Sequence, residues 1–451
     1  MMPSTPYVRQ AGRRGGLALR LAPTPAAVPG RSWSDAVLPR RLRWTLVFAA
    51  FFAFAGAVVS ARFRVGQQFI ILGVIGLLVQ SERLRWSTVT PMLALWTAWS
   101  SLGYISSEYS YEVNEGVIQL LKLCVITLVG VNALRTRAQL RAFSAFVLLA
   151  FLLYPGRGTL LNYLTGAYLA FGGRAIWNGV YANPNDLAAI TLLLLSIAAG
   201  LVVRERERRW RIAAGGTAAF LAFIILITQS RGALIGLGVF ALAMLWLAPR
   251  RQRVRAAAAL GVVAAAVIAF SPSGVWDRMS GLLNVTSGDL SRVDAEGSAT
   301  QRFEIWRVAR TIIREHPVAG VGVGAYNAEH ARVAPRPEFN PTARGPRDTH
   351  STYLNVAAET GIPGLVLFLA IVATTLRYTN RVRRRAASYD PPAAQQLLIL
   401  QLGMAAYLVA SIWGTYGKLN MLYLHLVLLW CTAKALETEG TRALPTPALA
   451  R

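Results

Sequence analysis

Three arginines and one histidine carry the chemistry that this sequence offers. Arg174 closes Phe171-Gly172-Gly173-Arg174, shortly before Asn183-Pro184-Asn185-Asp186. Arg231 sits in Thr228-Gln229-Ser230-Arg231-Gly232, Arg302 opens a helical pattern, and His350 stands just before an apolar run. Histidine is scarce here, at positions 316, 330, 350 and 425 only, so each placement counts. A guanidinium grips phosphate oxygens in two-pronged fashion, and an imidazole takes protons near neutral pH. Several arginines with one histidine suit the displacement of a pyrophosphate group by a hydroxyl: the cations neutralise the leaving group, and the base takes the proton. No Asp-x-Asp and no carboxylate cluster stands out in these segments, and Mg²⁺ needs such oxygen ligands. The expectation is therefore a site without metal or cofactor. Singly, each residue has a plainer reading. An arginine at the end of a span anchors to headgroups, and a histidine before a helix caps it. Gly320-Val321-Gly322-Val323-Gly324 lacks the Lys-Ser/Thr of a phosphate-binding loop and reads as a turn.

The elements that must position these residues are membrane helices. Of 451 residues, 54% are hydrophobic and only 15% charged, with a mean hydropathy of +0.42; a soluble domain carries about a quarter charged residues. The apolar residues gather in blocks separated by short arginine-rich stretches, and open sheets cannot span lipid. The fold class expected is an all-α polytopic membrane protein of about twelve spans. Their cores are Trp44–Ala61, Val65–Val79, Met92–Ile105, Val117–Leu134, Leu140–Tyr154, Leu187–Val203, Ile212–Ile227, Ala233–Leu247, Ala256–Phe270, Leu354–Leu376, Gln396–Trp413 and Leu419–Leu436.

The stretches at Arg40–Arg43, Glu82–Arg85, Arg135–Arg137, Arg204–Arg211, Arg250–Arg255 and Arg381–Arg385 alternate with acidic or mixed ones. The positive-inside rule puts the basic set in the cytoplasm. This predicts a multi-pass protein of the bacterial inner membrane with both termini cytoplasmic. Retention of basic loops also accounts for the net charge of +26 without nucleic acid as a partner. The organisation expected is a disordered basic tail over 1–43, spans one to nine over 44–270, a large periplasmic loop over 271–351, spans ten to twelve over 352–436, and a cytoplasmic tail over 437–451. The loop should hold an amphipathic helix, Thr300–Glu315, ended by His316-Pro317. Lys122 falls in mid-span, where charge is costly and so functional by default, with snorkelling or pairing inside the bundle equally open to it, and Glu359 is placed to pair with an arginine or help orient it. Cys124 and Cys431 lie in apolar blocks and suggest neither disulfide nor zinc site.

Thr349-His350-Ser351-Thr352-Tyr353-Leu354-Asn355, running into Glu359-Thr360-Gly361-Ile362-Pro363-Gly364-Leu365, resembles a signature of the O-antigen ligase and polymerase family of membrane glycosyltransferases. Arg302 to Trp306, Glu315-His316-Pro317, the Gly320–Gly324 run with Tyr326, Ser230-Arg231-Gly232-Ala233 and Asn183-Pro184-Asn185 follow in the family's order, although Ser351 replaces a common asparagine. The resemblance is greatest to the ligase. It implies metal-independent, inverting transfer of a polysaccharide from undecaprenyl pyrophosphate to a sugar hydroxyl of the lipid A core, on the periplasmic side. It implies His350 as the base, with Arg231, Arg302 and Arg174 binding the donor, and membrane lipids as surroundings. Two alternatives are an O-antigen polymerase, which uses the same leaving group, and a secondary transporter, which would place ionisable residues near the midplane.

Overall fold

The computed structural model describes residues 45–247 apart from 64 and 81, and 298–443, with short helical pieces between 253 and 261. The expected tail 1–43, the loop segment 271–297 and most of the ninth span lie outside the described residues. Helices occupy the core of every other expected span.

They are α1 (Leu46–Ser60), α2 (Gly66–Val79), α3 (Val89–Ser100), α4 (Gly103–Ser106), α5 (Ser110–Ala133), α6 (Arg137–Phe151), α7 (Arg157–Thr165), α8 (Pro184–Arg204), α9 (Arg208–Ile227) and α10 (Arg231–Leu247). After the gap come α11 (Ser298–Glu315), α12 (Tyr326–Val333), α13 (Thr352–Ala386), α14 (Pro391–Ala410) and α15 (Asn420–Ala443). Among the described residues, six helical segments are long and apolar enough to cross a membrane: α5, α6 with α7, α8, α9, α13, and α14 extended to Trp413. Helices α1, α2 and α10 are apolar but shorter. The only strands described, β1 (Leu169–Ala170) and β2 (Arg174–Ala175), form a small antiparallel hairpin.

Local chemistry starts these helices where the sequence indicates. The Thr45 hydroxyl accepts from the Phe48 amide, and Asn183 caps α8 ahead of Pro184. Thr136 and Gln139 form a reciprocal capping box on α6. One boundary differs from expectation. The fifth span does not end at Tyr154; it runs on to Thr165 through a wide turn at Leu152–Gly156 that contains Pro155. A π turn lengthens the hydrogen-bond spacing, so the ring of Pro155 and its missing N–H fit inside the helix instead of ending it. The last helix also continues past Leu436, to Ala443.

Helix α8 is buried along nearly its whole length and forms the centre of the bundle, packed on α9 and α14. Residues 298–351 fold as a cap with a core of their own: Val308, Ala309, Ile312, Val321, Tyr326 and Val333 close over Ala358 of α13. The amphipathic face predicted for α11 is the buried one at Ile305, Ala309 and Ile312, whereas Phe303 points outward.

The cap is fastened to the bundle at a break in α13. Gly361 has φ 71° and ψ 179°, a backbone state open essentially to glycine alone. The break frees three carbonyls. That of Ala358 accepts from the Val321 amide (2.9 Å), that of Glu359 from the Gly322 amide (3.0 Å), and that of Thr360 from the Trp99 indole (2.9 Å). The Ile362 amide is taken up by the Pro317 carbonyl at 2.8 Å. The Gly320–Gly324 turn is thus a docking strip for a helix break. A Cβ on Gly361 would collide with the Val318 carbonyl. Gly361→Ala is therefore expected to lose about 3 kcal/mol or more, seen as a collapse in the yield of monodisperse protein on size exclusion.

Candidate functional site

His350 lies in the short stretch between the cap and α13, with φ +47°. Left-handed backbone is uncommon outside glycine and is retained where the surroundings force it. Here they do. The indole of Trp306, one turn after Arg302 on α11, donates to the Thr349 carbonyl at 2.9 Å. The Thr352 hydroxyl donates to the Gly414 carbonyl (2.7 Å) and accepts from the Tyr416 amide (2.8 Å). The Thr415 hydroxyl shares its proton between both carboxylate oxygens of Asp348, at 2.9 Å each. The histidine loop is thereby held between α11 and the link joining α14 to α15.

The Asp348 carboxylate faces the imidazole, Oδ2 to Nδ1 at 3.4 Å. That is long for a hydrogen bond and close enough to orient the ring. The His350 side chain keeps one third of its surface exposed. Burial holds its pKa below the usual value of 6.5; Asp348 pulls it up, while Arg302 and Arg347 push it down. The imidazole is consequently neutral at pH 7. The Asp348 carboxylate favours the tautomer with its proton on Nδ1, which leaves the free lone pair on Nε2.

The arginines arrive from three other segments. Arg174, on β2, donates through Nε to the Thr228 carbonyl (2.9 Å) and through Nη2 to the Asn185 side chain (2.6 Å). It ties the Asn-Pro-Asn start of α8 to the turn that launches α10, so part of its donor capacity serves the frame. Arg231 is the first residue of α10, where the helix dipole is positive. It follows buried Gln229 and Ser230, and Gln229 has φ +52°. Of the three non-glycine residues with positive φ among those described, two are Gln229 and His350. Backbone strain therefore concentrates at this end of the molecule. Arg302 occupies the first turns of α11 and acts electrostatically on both His350 and Tyr416.

Tyr416 shows how these pieces meet. Its phenol is buried and donates to the Asn185 carbonyl at 3.2 Å. It feels the charges of Asp186, Arg302, Arg174 and Asp348 together. Three of the four residues singled out by sequence thus share one electrostatic neighbourhood with two carboxylates that sequence did not single out. Asp348 had a readable signal, two positions before His350. Asp186 closes the Asn183–Asp186 stretch without being singled out, and Thr415 and Tyr416 had no signal, because only the fold brings them there.

One other expectation needs correction. Glu359 pairs with Lys418 at 2.8 Å and accepts from Asn355 at 3.2 Å, not from an arginine. Carboxylates do gather in the cap, where Glu315, His316 and Glu329 approach one another. Arg336 binds Glu315 and Arg332 binds Glu329, so arginine occupies the carboxylate oxygens a cation would use. Lys122 is exposed on the outside of α5, which agrees with snorkelling rather than with pairing inside the bundle.

Comparison with known proteins fits this geometry. Residues 216–369 match the family described as O-Antigen ligase, a span that includes Arg231, Arg302, His350 and the break at Gly361. The chain is also 26% identical over 355 residues to the exopolysaccharide production protein ExoQ of Rhizobium meliloti (strain 1021), covering 76% of this chain and 75% of that one. With its apolar helices, this is a membrane-embedded protein, and its residues 216–369 are similar to the O-antigen ligase family, whose motifs it shares.

Proposed function

We propose that this protein transfers a glycan from undecaprenyl pyrophosphate to a sugar hydroxyl of the lipid A core, at the periplasmic end of a bundle of about twelve spans in the bacterial inner membrane. The observation that carries the reading is a neutral histidine backed by Asp348 and standing in the field of Arg302. In the proposed step, Nε2 of His350 takes the proton of the acceptor hydroxyl as its oxygen attacks the anomeric carbon. The bond from that carbon to the pyrophosphate oxygen breaks, and configuration inverts. Arg302 and Arg231 stabilise the charge gathering on the departing diphosphate. Support for the donor class comes from the family match and from the arginine-rich surroundings of the base.

A second acceptor is favoured by the relative whose name records exopolysaccharide production. In that reading the attacking hydroxyl belongs to a growing lipid-linked glycan, as in a polymerase, and the chemistry at His350 is unchanged. Purified protein supplied with lipid-linked glycan, with and without lipid A core, separates the two. Product on the core supports ligation, chain extension without it supports polymerisation, and no product from either rejects the enzyme reading.

The titration of His350 gives a further expectation. The base must be neutral to act, so transfer should be level above pH 7 and fall only below the ordinary histidine value of about 6.5. Asp348→Asn removes the influence that raises the histidine pKa, so the acid limb should move to lower pH. It also loosens the ring, lowering the plateau rate about tenfold. A pH–rate profile of the two proteins checks both effects.

A further inference from the structure

The opposite end of the bundle holds a second polar site that the transfer reaction does not use. The N-terminal end of α5 packs on the glycine turn of the cap, and its 24 residues carry the chain ~36 Å to the other face. There the end of α5, the start of α6, the link after α2 and the last turns of α15 enclose a cavity of about 340 Å³. That volume lies at the small end of ligand pockets.

The wall is short of acceptors. Glu82 pairs with Arg135 at 2.8 Å, and Glu439 with Arg137, so these charges balance. The Asn132 side-chain oxygen already accepts from the Arg85 amide and from Arg135, and the Gln139 oxygen from the Arg135 and Thr136 amides. Donors are left over. The side-chain nitrogen of Gln80 and Nε of Arg137 are shielded from solvent and have no acceptor among the described residues. The Arg85 guanidinium lines the same space, and it makes no ion pair or hydrogen bond with a described residue. The first turn of α6 adds the positive end of its dipole and contains no acidic residue. Buried donors are normally satisfied, and spare N–H groups with one uncompensated cation call for an anion rich in acceptor oxygens.

We propose that this cavity binds a phosphate ester, with Arg85, Gln80 and Nε of Arg137 as its donors. A lipid headgroup and a soluble phosphate share that chemistry, and the experiment separates them. Full-length protein in neutral detergent is titrated with short-chain phosphatidylglycerol, with inorganic phosphate, and with short-chain phosphatidylcholine as a net-neutral control, following thermal unfolding by tryptophan fluorescence. Saturable stabilisation by phosphatidylglycerol beyond that of phosphatidylcholine assigns a lipid headgroup; equal stabilisation by phosphate alone assigns a soluble anion. Arg85→Gln should weaken binding ~10-fold, as for the loss of one charge-assisted hydrogen bond. Gln80→Leu should weaken it less, and His350→Ala should leave it unchanged, which separates this site from the donor diphosphate. Should Arg85→Gln fold poorly, Gln80→Leu alone still reads the cavity. Absence of saturable binding by the unaltered protein, or unaltered affinity in both variants, overturns the proposal.

Discussion

His350→Ala is expected to reduce glycan transfer by about 10²–10⁴-fold, the usual contribution of a positioned general base, while the protein still inserts and purifies as before. The side chain makes this separation possible. Its ring keeps a third of its surface exposed and faces Asp348. The loop is held by Trp306, Thr352 and Thr415 through groups other than the imidazole. Removing the ring therefore deletes chemistry and leaves the frame. Single-turnover assays with lipid-linked donor measure the loss, and a size-exclusion profile controls for folding. A variant that keeps full transfer rates would exclude proton removal by His350.

Arg302→Ala should lower transfer by about 10²–10³-fold, the range seen when one donor to developing charge is lost. Arg302→Lys should recover only part of it, since an ammonium lacks the planar fork that meets two phosphate oxygens. A second effect sets Arg302 apart from a mere anchor. Its charge depresses the His350 pKa, so removing it raises that pKa and moves the acid limb of the pH–rate profile upward. This is the opposite direction to the effect of Asp348→Asn. A loss of rate with an unmoved profile would make Arg302 a structural residue.

Much of the helical plan is readable from chain order because each span advertises itself by apolar length between arginine-rich stretches. The site residues are legible for a different reason: His350, Arg231 and Arg302 sit at element ends, where an apolar pattern gives way to charge. What escapes is produced by folding. Pro155 lies just beyond the expected core of the fifth span and becomes part of that span, because a turn with wider hydrogen-bond spacing absorbs it. Tyr416 and Thr415 look like a plain turn between spans, yet they underpin Asp348 and face Asn185 from more than two hundred positions away. Glu359 suggested an arginine partner, and a lysine from the same link arrives instead.

The interrupted α13 has a consequence for traffic. With three of its carbonyls spoken for by the glycine strip and by Trp99, residues 298–351 cannot swing aside like a hinged door without stripping those acceptors of their partners. In the proposed reaction, the lipid-borne donor then reaches His350 sideways, through the flank of the bundle.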